Sequence, residues 1–192
     1  MTSKINIDTS QLNKIVYGLK DAEKQMPGAF VAALNRTLDR VYSRSGRIVT
    51  QQYNVKASEI KASMTKNRAS FSRPRAFIRV RSKRYTLGRF LPGGLKSKSK
   101  KATVKIKKSA GRKPVLGAPK AFVQRSPDGN THIFRREGDK RYPLELLRTI
   151  SPTQMVENLK VMESIQDEAN SFLADRVEHE IQYRLKKVKG NG

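Results

Sequence analysis

Apolar residues recur at three- and four-residue intervals at both ends of the chain and alternate only in its middle, so helices flank a strand-forming centre. Near the start, Leu12, Ile15, Val16, Leu19 and Ala22 mark one face of a helix opened by Asp8, Thr9 and Ser10 and closed before Pro27. Pro27 suits the first turn of a second helix, whose apolar face runs Phe30, Val31, Leu34, Leu38, Val41 and Tyr42 and continues through Ile48 to Tyr53. Gly46 interrupts this pattern and predicts a bend, because glycine costs about 1 kcal/mol in a helix interior relative to alanine. The segment ASEIKASM predicts a short third helix capped by Ser58.

The centre changes period. Ala76-Phe77-Ile78-Arg79-Val80-Arg81 alternates as a strand with one basic face. Ala121-Phe122-Val123-Gln124 and Thr131-His132-Ile133-Phe134 flank Ser126-Pro127-Asp128-Gly129-Asn130, whose Pro-Asp-Gly core predicts a hairpin turn. Arg141-Tyr142-Pro143-Leu144 leads out of this sheet, with proline confining the segment to an edge or a strand end. Ser151 then serves as N-cap and Pro152 as the first residue of one long final helix, carried by Met155, Leu159, Met162, Ile165, Ala169, Phe172, Leu173, Val177, Ile181 and Leu185. The expected fold class is α+β, with two N-terminal helices, a small antiparallel sheet bearing a long basic loop or hairpin arm, and a long C-terminal helix.

Length and composition turn this pattern into a single domain over residues 1–192. Hydrophobic residues make up 36% and charged residues 30%, a poor ratio for filling a core. Residues 88–114, rich in Gly, Lys and Ser, are therefore expected to form a flexible loop or arm whose like charges repel, around a short alternating stretch Val104-Lys105-Ile106-Lys107.

Charge sharpens the picture further. The formal net charge is +25, and between Glu59 and Asp128 there is no acidic residue at all. A compact body so charged needs a polyanion or acidic neighbours close by. Arg79, Arg81, Lys83, Arg84, Arg89, Lys96, Lys98, Lys100, Lys101, Lys105, Lys107 and Lys108 are the candidates for contact with nucleic acid or an acidic partner. Arg36, Arg40, Arg44 and Arg47 form a second cationic stripe along the second helix, open either to solvent or to phosphate. Most remaining acids lie on the final helix, and Glu163, Asp167 and Glu178 are candidates for contact with a basic face of a neighbouring copy. Balance of that helix by its own sheet is the competing reading.

Several chemistries lack their residues. There is no cysteine, and the two histidines, His132 and His179, stand apart, so neither a thiolate nor a usual zinc site is available. No nucleophile-base spacing and no phosphate-cradling loop is present; Gly93-Gly94 lacks the strand-loop-helix setting. The reading is of a protein without cofactor or catalytic site. No apolar run approaches the roughly 18 residues of a membrane span, so no membrane contact is expected.

Three blocks resemble one family. Pro27-Gly28-Ala29-Phe30 through Ala33-Leu34-Asn35-Arg36-Thr37, then Gly117-Ala118 with Ala121-Phe122-Val123, then Phe134-Arg135-Arg136 with Arg141-Tyr142-Pro143-Leu144, resemble in order and spacing the phage minor tail protein Z family. The match runs along most of the chain and is thinnest in the lysine-rich loop. Asn35, Gly117, Phe122, Phe134, Arg135, Arg141 and Pro143 are its motif residues. The resemblance implies a virion structural protein at the upper end of a long tail or in the neck, assembled in the host cytoplasm. Implied partners are copies of itself in a ring, six if it matches the tail; tail terminator, tail tube or head-tail connector proteins; and tape-measure protein and genomic DNA in the lumen.

Two other classes compete with that expectation. The acid-free stretch from Ile60 to Pro127, interleaved with Phe71, Phe77, Tyr85 and Phe90, also suits a sequence-independent nucleic-acid-binding module. A transient tail assembly factor would share the basic arm and be absent from mature particles.

Overall fold

A computed structural model describes residues 2–7, 26–117 and 120–189. The helix expected over Asp8–Ala22 lies outside the described residues. The elements in order are β1 (Thr2–Asn6), α1 (Met26–Gln52), α2 (Ala57–Ala62), β2 (Met64–Asn67), β3 (Phe77–Arg81), β4 (Thr103–Val104), β5 (Lys113–Pro114), β6 (Phe122–Arg125), β7 (Thr131–Arg136), β8 (Leu144–Leu146), α3 (Pro152–Val156) and α4 (Leu159–Lys189). The class is α+β.

Two long helices form the backbone of the molecule. Along α4 the residues Val161, Ile165, Ala169, Leu173, Val177 and Ile181 are all buried at an unbroken four-residue spacing, which makes one continuous ridge. It packs along α1, whose buried face is Ala29, Ala33, Leu34, Leu38, Val41 and Val49. The helices run antiparallel, as the pairing of Arg36 with Glu180 and of Arg44 with Glu168 shows. Small side chains, Ala33 and Ala169, are fully buried on the two ridges.

The strands build three antiparallel sheets in the orders β1-β3-β2, β4-β5 and β6-β7-β8. In the first, Ile5 pairs with Ile78 in register and both are buried, while Lys4 pairs with Arg79 on the opposite, exposed face. The period-2 alternation of the sequence therefore becomes an apolar inner face and a basic outer face. The expected hairpin is present as β6-β7, closed by Ser126 and Asn130 and by an Asp128 side chain that accepts from Asn130 N–H at 2.9 Å. Pro143, which follows a cis peptide bond, leads into the edge strand β8.

Four expectations need correction. The final helix is broken: α3 ends at Val156 with Glu157 as its C-cap, and α4 restarts where the Asn158 carbonyl accepts from Met162 N–H at 2.8 Å. Asparagine is favoured at such helix starts. The break rotates Leu159, which is 73% exposed, out of the apolar face, and Val161 takes its place. Ser151 is nonetheless the expected N-cap, and with Gln154 it forms a reciprocal capping box over Pro152.

The second concerns Gly46, which does not interrupt α1: the helix runs through it from Met26 to Gln52. A side chain there would meet the Ala57 carbonyl oxygen at 3.0 Å, so the glycine makes room for α2. Third, α2 is capped by Lys56, two residues earlier than Ser58, with no side-chain cap hydrogen bond.

The fourth is the largest, because residues 88–114 do not project as an arm. Phe90 and Leu91 are buried and Val104 is nearly so, with the Tyr85 ring edge-on to Phe90. Backbone bonds tie the segment to the end of α1, Asn54 N–H to Ile106 O and Lys108 N–H to Gln52 O, each 2.8 Å. Thr131 Oγ1 donates to Ser97 O at 2.8 Å and fastens it to β7. A few apolar anchors and satisfied backbone groups offset the mutual repulsion of its lysines.

Candidate functional site

The basic residues divide into those used inside the molecule and those left on its surface. Arg36 pairs with Glu180 at 2.8 Å, and Arg40 with Glu168 at 2.7 Å, while Arg44 reaches Glu168 at 3.6 Å. Three arginines of the stripe thus reach across to α4 with their side chains still partly exposed, while Arg47 is exposed and has no ion pair among the described residues. Arg89 is paired with Glu59 and stacked 4.3 Å over the Tyr85 ring. Its side chain is 27% exposed, so it is partly spent inside the molecule and partly open.

What remains outside falls in two groups, one on β3 and the turn after it and one along the folded-back segment. Arg79 and Arg81 stand on the exposed face of β3, and Lys83 and Arg84 follow in the exposed turn beyond it. On that face Phe77 lies between Lys4 and Arg79, whose cationic groups sit 5.6 and 5.9 Å from the ring centroid. Lys98, Lys100, Lys101, Lys107 and Lys108 are exposed along the folded-back segment, whereas Lys105 is half-buried. Lys96 donates to Gly129 O at 3.2 Å and, with Lys56, Arg89 and Arg112, lines an open cleft of about 540 Å³. The sequence pattern did not single out Lys56 or Arg112, because they lie outside the densest run and are brought to this cleft by folding.

The acidic candidates Glu163, Asp167 and Glu178 are exposed on α4, and the described residues provide no ion pair for any of them. By contrast Glu168 and Glu180 are consumed by α1, and Glu180, 5% exposed, also accepts from Arg176 at 2.8 Å. The acidic helix is therefore balanced by its helical neighbour on one side and left open on the other. Its balance by the sheet is not what the structure displays.

The motif residues have structural duties. Asn35 Nδ2 donates to Ala69 O at 3.0 Å and Asn35 Oδ1 accepts from Ala69 N–H at 2.9 Å, a two-point clamp on one backbone unit. Gly117 has φ 124°, and a side chain there would strike the Arg135 guanidinium, which instead donates to Leu116 O at 3.1 Å. Phe122 and Phe134 face each other across β6 and β7 with centroids 6.3 Å apart. Arg141 lies over the ring of Tyr142, 5.6 Å from its centroid, beside Pro143.

Asp39 Oδ1 accepts from Lys66 at 2.6 Å, and Arg68 donates to both carboxylate oxygens at 2.9 Å. The hydrogen bond from Lys66, aided by the one from Arg68, holds this carboxyl below its ordinary value of 3.8 despite partial burial. Among the described residues no group of three metal-ligating side chains converges, and no helix is long and apolar enough to cross a membrane.

This architecture has known relatives. Residues 11–190 match the model of the family described as prophage minor tail protein Z. The chain belongs to that family. It is thus a tail-associated structural protein of phages, from a family that is not enzymatic. It is also 29% identical over 122 residues to the tail completion protein of Escherichia phage N15, covering 64% of this chain and 66% of that protein. The chain thus spans just under two thirds of that relative's length. No solved structure matches.

Proposed function

We propose that this protein completes the head-proximal end of a phage tail as one subunit of a homo-oligomeric ring, six copies on a hexameric tail, at the neck or head-tail junction. There it serves tail maturation, joining to the head and passage of the genome. The observation that carries this reading is the division of charge in a Z-family chain: on α4, Glu168 and Glu180 are paired with α1 while Glu163, Asp167 and Glu178 are displayed outward, and β3 and the folded-back segment carry cations and no acid. Neighbouring copies can meet acid to base, and a lumen lined by the remaining cations would hold DNA through phosphate without reading sequence. The printed role of the N15 relative, tail completion, points the same way.

In this reading the protein touches tail terminator, tail tube or connector proteins, with tape-measure protein in the lumen, and assembles in the host cytoplasm as part of a single 1–192 domain. Cryo-EM of particles carrying a tagged copy tests it: density in the neck or upper tail is expected, and an undecorated neck refutes it. Phe77 beside Lys4 and Arg79 also favours a sequence-independent nucleic-acid contact. Steep, salt-sensitive binding of random DNA by a monomer that never enters particles would make that the whole function. Presence in assembling tails but absence from mature particles would instead indicate a transient assembly factor.

A further inference from the structure

Neither the helix pair nor the basic face accounts for residues 70–75. Every residue from Ser70 to Arg75 is exposed, yet the alanines at either end, Ala69 and Ala76, are buried at 7% and 1% exposure. The base of this excursion is held by the Asn35 clamp on Ala69. Its crossing is closed by a reciprocal backbone pair, Ser70 N–H to Arg73 O at 2.9 Å and Arg73 N–H to Ser70 O at 3.1 Å. Ser70 Oγ lies 3.2 Å from Ser72 Oγ and 3.2 Å from Arg73 N, and Pro74 stiffens the exit.

At the end of this fixed turn stands Phe71, 73% exposed. A single exposed apolar side chain means little by itself. Here, however, the ring is presented on ordered backbone, and Arg73 and Arg75 beside it have no ion pair among the described residues. An aromatic with arginines on a pre-ordered support is the composition of an interface anchor, because the entropy of ordering is spent before the partner arrives. Duplex DNA would engage the arginines through phosphate and leave the phenyl ring in water. A protein surface with carboxylates around an apolar contact would engage all three.

Such a surface exists on α4. At four-residue spacing its outer row reads Leu159, Glu163, Asp167, Ser171, Asp175, His179 and Tyr183, all exposed and without one lysine or arginine. Leu159 and Tyr183 are 73% and 59% exposed, so the acids are bracketed by apolar side chains. Within one chain Ser72, Arg73 and Arg75 line an open cleft with Gln166 of α4, yet neither arginine forms an ion pair with this row.

We infer that the Phe71 turn of one copy docks on the outer row of α4 in a second copy, with Arg73 and Arg75 meeting Glu163 and Asp167 and the ring lying against Leu159. The inference rests on the homo-oligomeric reading above and names the contact that would join the copies. It also gives Asn35 a positioning role: the clamp holds the turn in the geometry the neighbour receives.

The test exploits a chain that has no cysteine. Full-length Ser72→Cys and Ser171→Cys proteins are mixed and treated with a short bis-maleimide, while self-association of Phe71→Ala is measured by sedimentation. The expected result is a mixed 72–171 product outweighing both like-with-like products, and self-association weakened on the order of 30-fold by Phe71→Ala. Combining Arg73→Glu and Arg75→Glu with Glu163→Arg and Asp167→Arg should restore association that either pair alone abolishes. Oligomers lacking the mixed product, or dominated by 72–72 links, overturn the contact and leave the ring standing. A chain monomeric at every concentration overturns both. Loss of single-stranded DNA affinity in Phe71→Ala, with association unchanged, assigns the turn to nucleic acid and also overturns the contact.

Discussion

Glu180 offers a direct test of how the two long helices are held together. Its side chain is nearly buried; the carboxylate forms an ion pair with Arg36 and accepts a hydrogen bond from Arg176, each at 2.8 Å. The Arg36 side chain is 60% exposed, so water screens that pair and it contributes under about 1 kcal/mol. Arg176 is different: its side chain is 20% exposed, and its Nε is buried without a partner. Glu180→Gln keeps the shape but strands that cation, at a cost of about 2 kcal/mol. Together the two effects should lower stability by ~2–3 kcal/mol, which at a urea slope of about 2 kcal/mol per molar is a midpoint shift of ~1–1.5 M.

Equilibrium urea unfolding followed by far-UV circular dichroism measures this directly, at low salt and again at ~1 M salt, where only the Arg36 share should fade. A double variant, Arg176→Met with Glu180→Leu, should recover most of the loss, since an apolar pair of similar volume avoids desolvating charge. A Glu180→Gln protein within ~0.5 kcal/mol of the parent would show that the carboxylate does not hold α4 on α1, and the reasoning would fail.

Other outcomes follow from the same geometry. Asp39 has a folded value below its ordinary 3.8, so its stabilisation is complete above that value and lost as pH falls through the lowered one; Asp39→Asn should flatten the acid limb of a stability-pH curve, and an unchanged limb would contradict the assignment. Asn35→Ala should cost about 1–2 kcal/mol and speed amide exchange of Ala69 and its neighbours while sparing α4, which exchange mass spectrometry resolves. Ser151→Ala removes a capping box and should lower stability by about 1 kcal/mol in thermal or urea unfolding. Replacing Arg79 and Arg81 by Gln should reduce the slope of log affinity for random duplex against log salt by about 2, read by fluorescence anisotropy; an unaltered slope would remove β3 from any DNA contact.

Much of the helix and hairpin architecture was legible because it follows short-range rules. The spacing of Leu34, Leu38 and Val41, the Pro-Asp-Gly turn and the Ser151-Pro152 start each act within a few residues. The break at Asn158 is invisible in the sequence because Leu159 fits the apolar spacing equally well on an unbroken helix; only the packing of Val161 decides between them. The fold of the segment around Phe90 is hidden for a related reason. Composition weighs its lysines against its few apolar residues, but two or three well-placed anchors with backbone bonds suffice once α1 and β7 are there to receive them. Charge was legible in amount and not in allocation: the sequence marks Arg36, Arg40 and Arg44 as a stripe, yet only the antiparallel partner helix reveals that Glu168 and Glu180 answer them.

That allocation has an effect at long range. By neutralising α1 internally and leaving acids along the outside of α4, the fold converts a uniform excess of cations into a molecule with a permanent electric moment. Two such bodies, or one body and an anionic filament, rotate toward preferred orientations before they touch. Encounter with an anionic filament should therefore slow with ionic strength more steeply than dissociation speeds up, whereas two copies, each of net charge +25, meet faster as salt screens their repulsion, and the order in which pieces meet becomes a property of charge placement as much as of final fit.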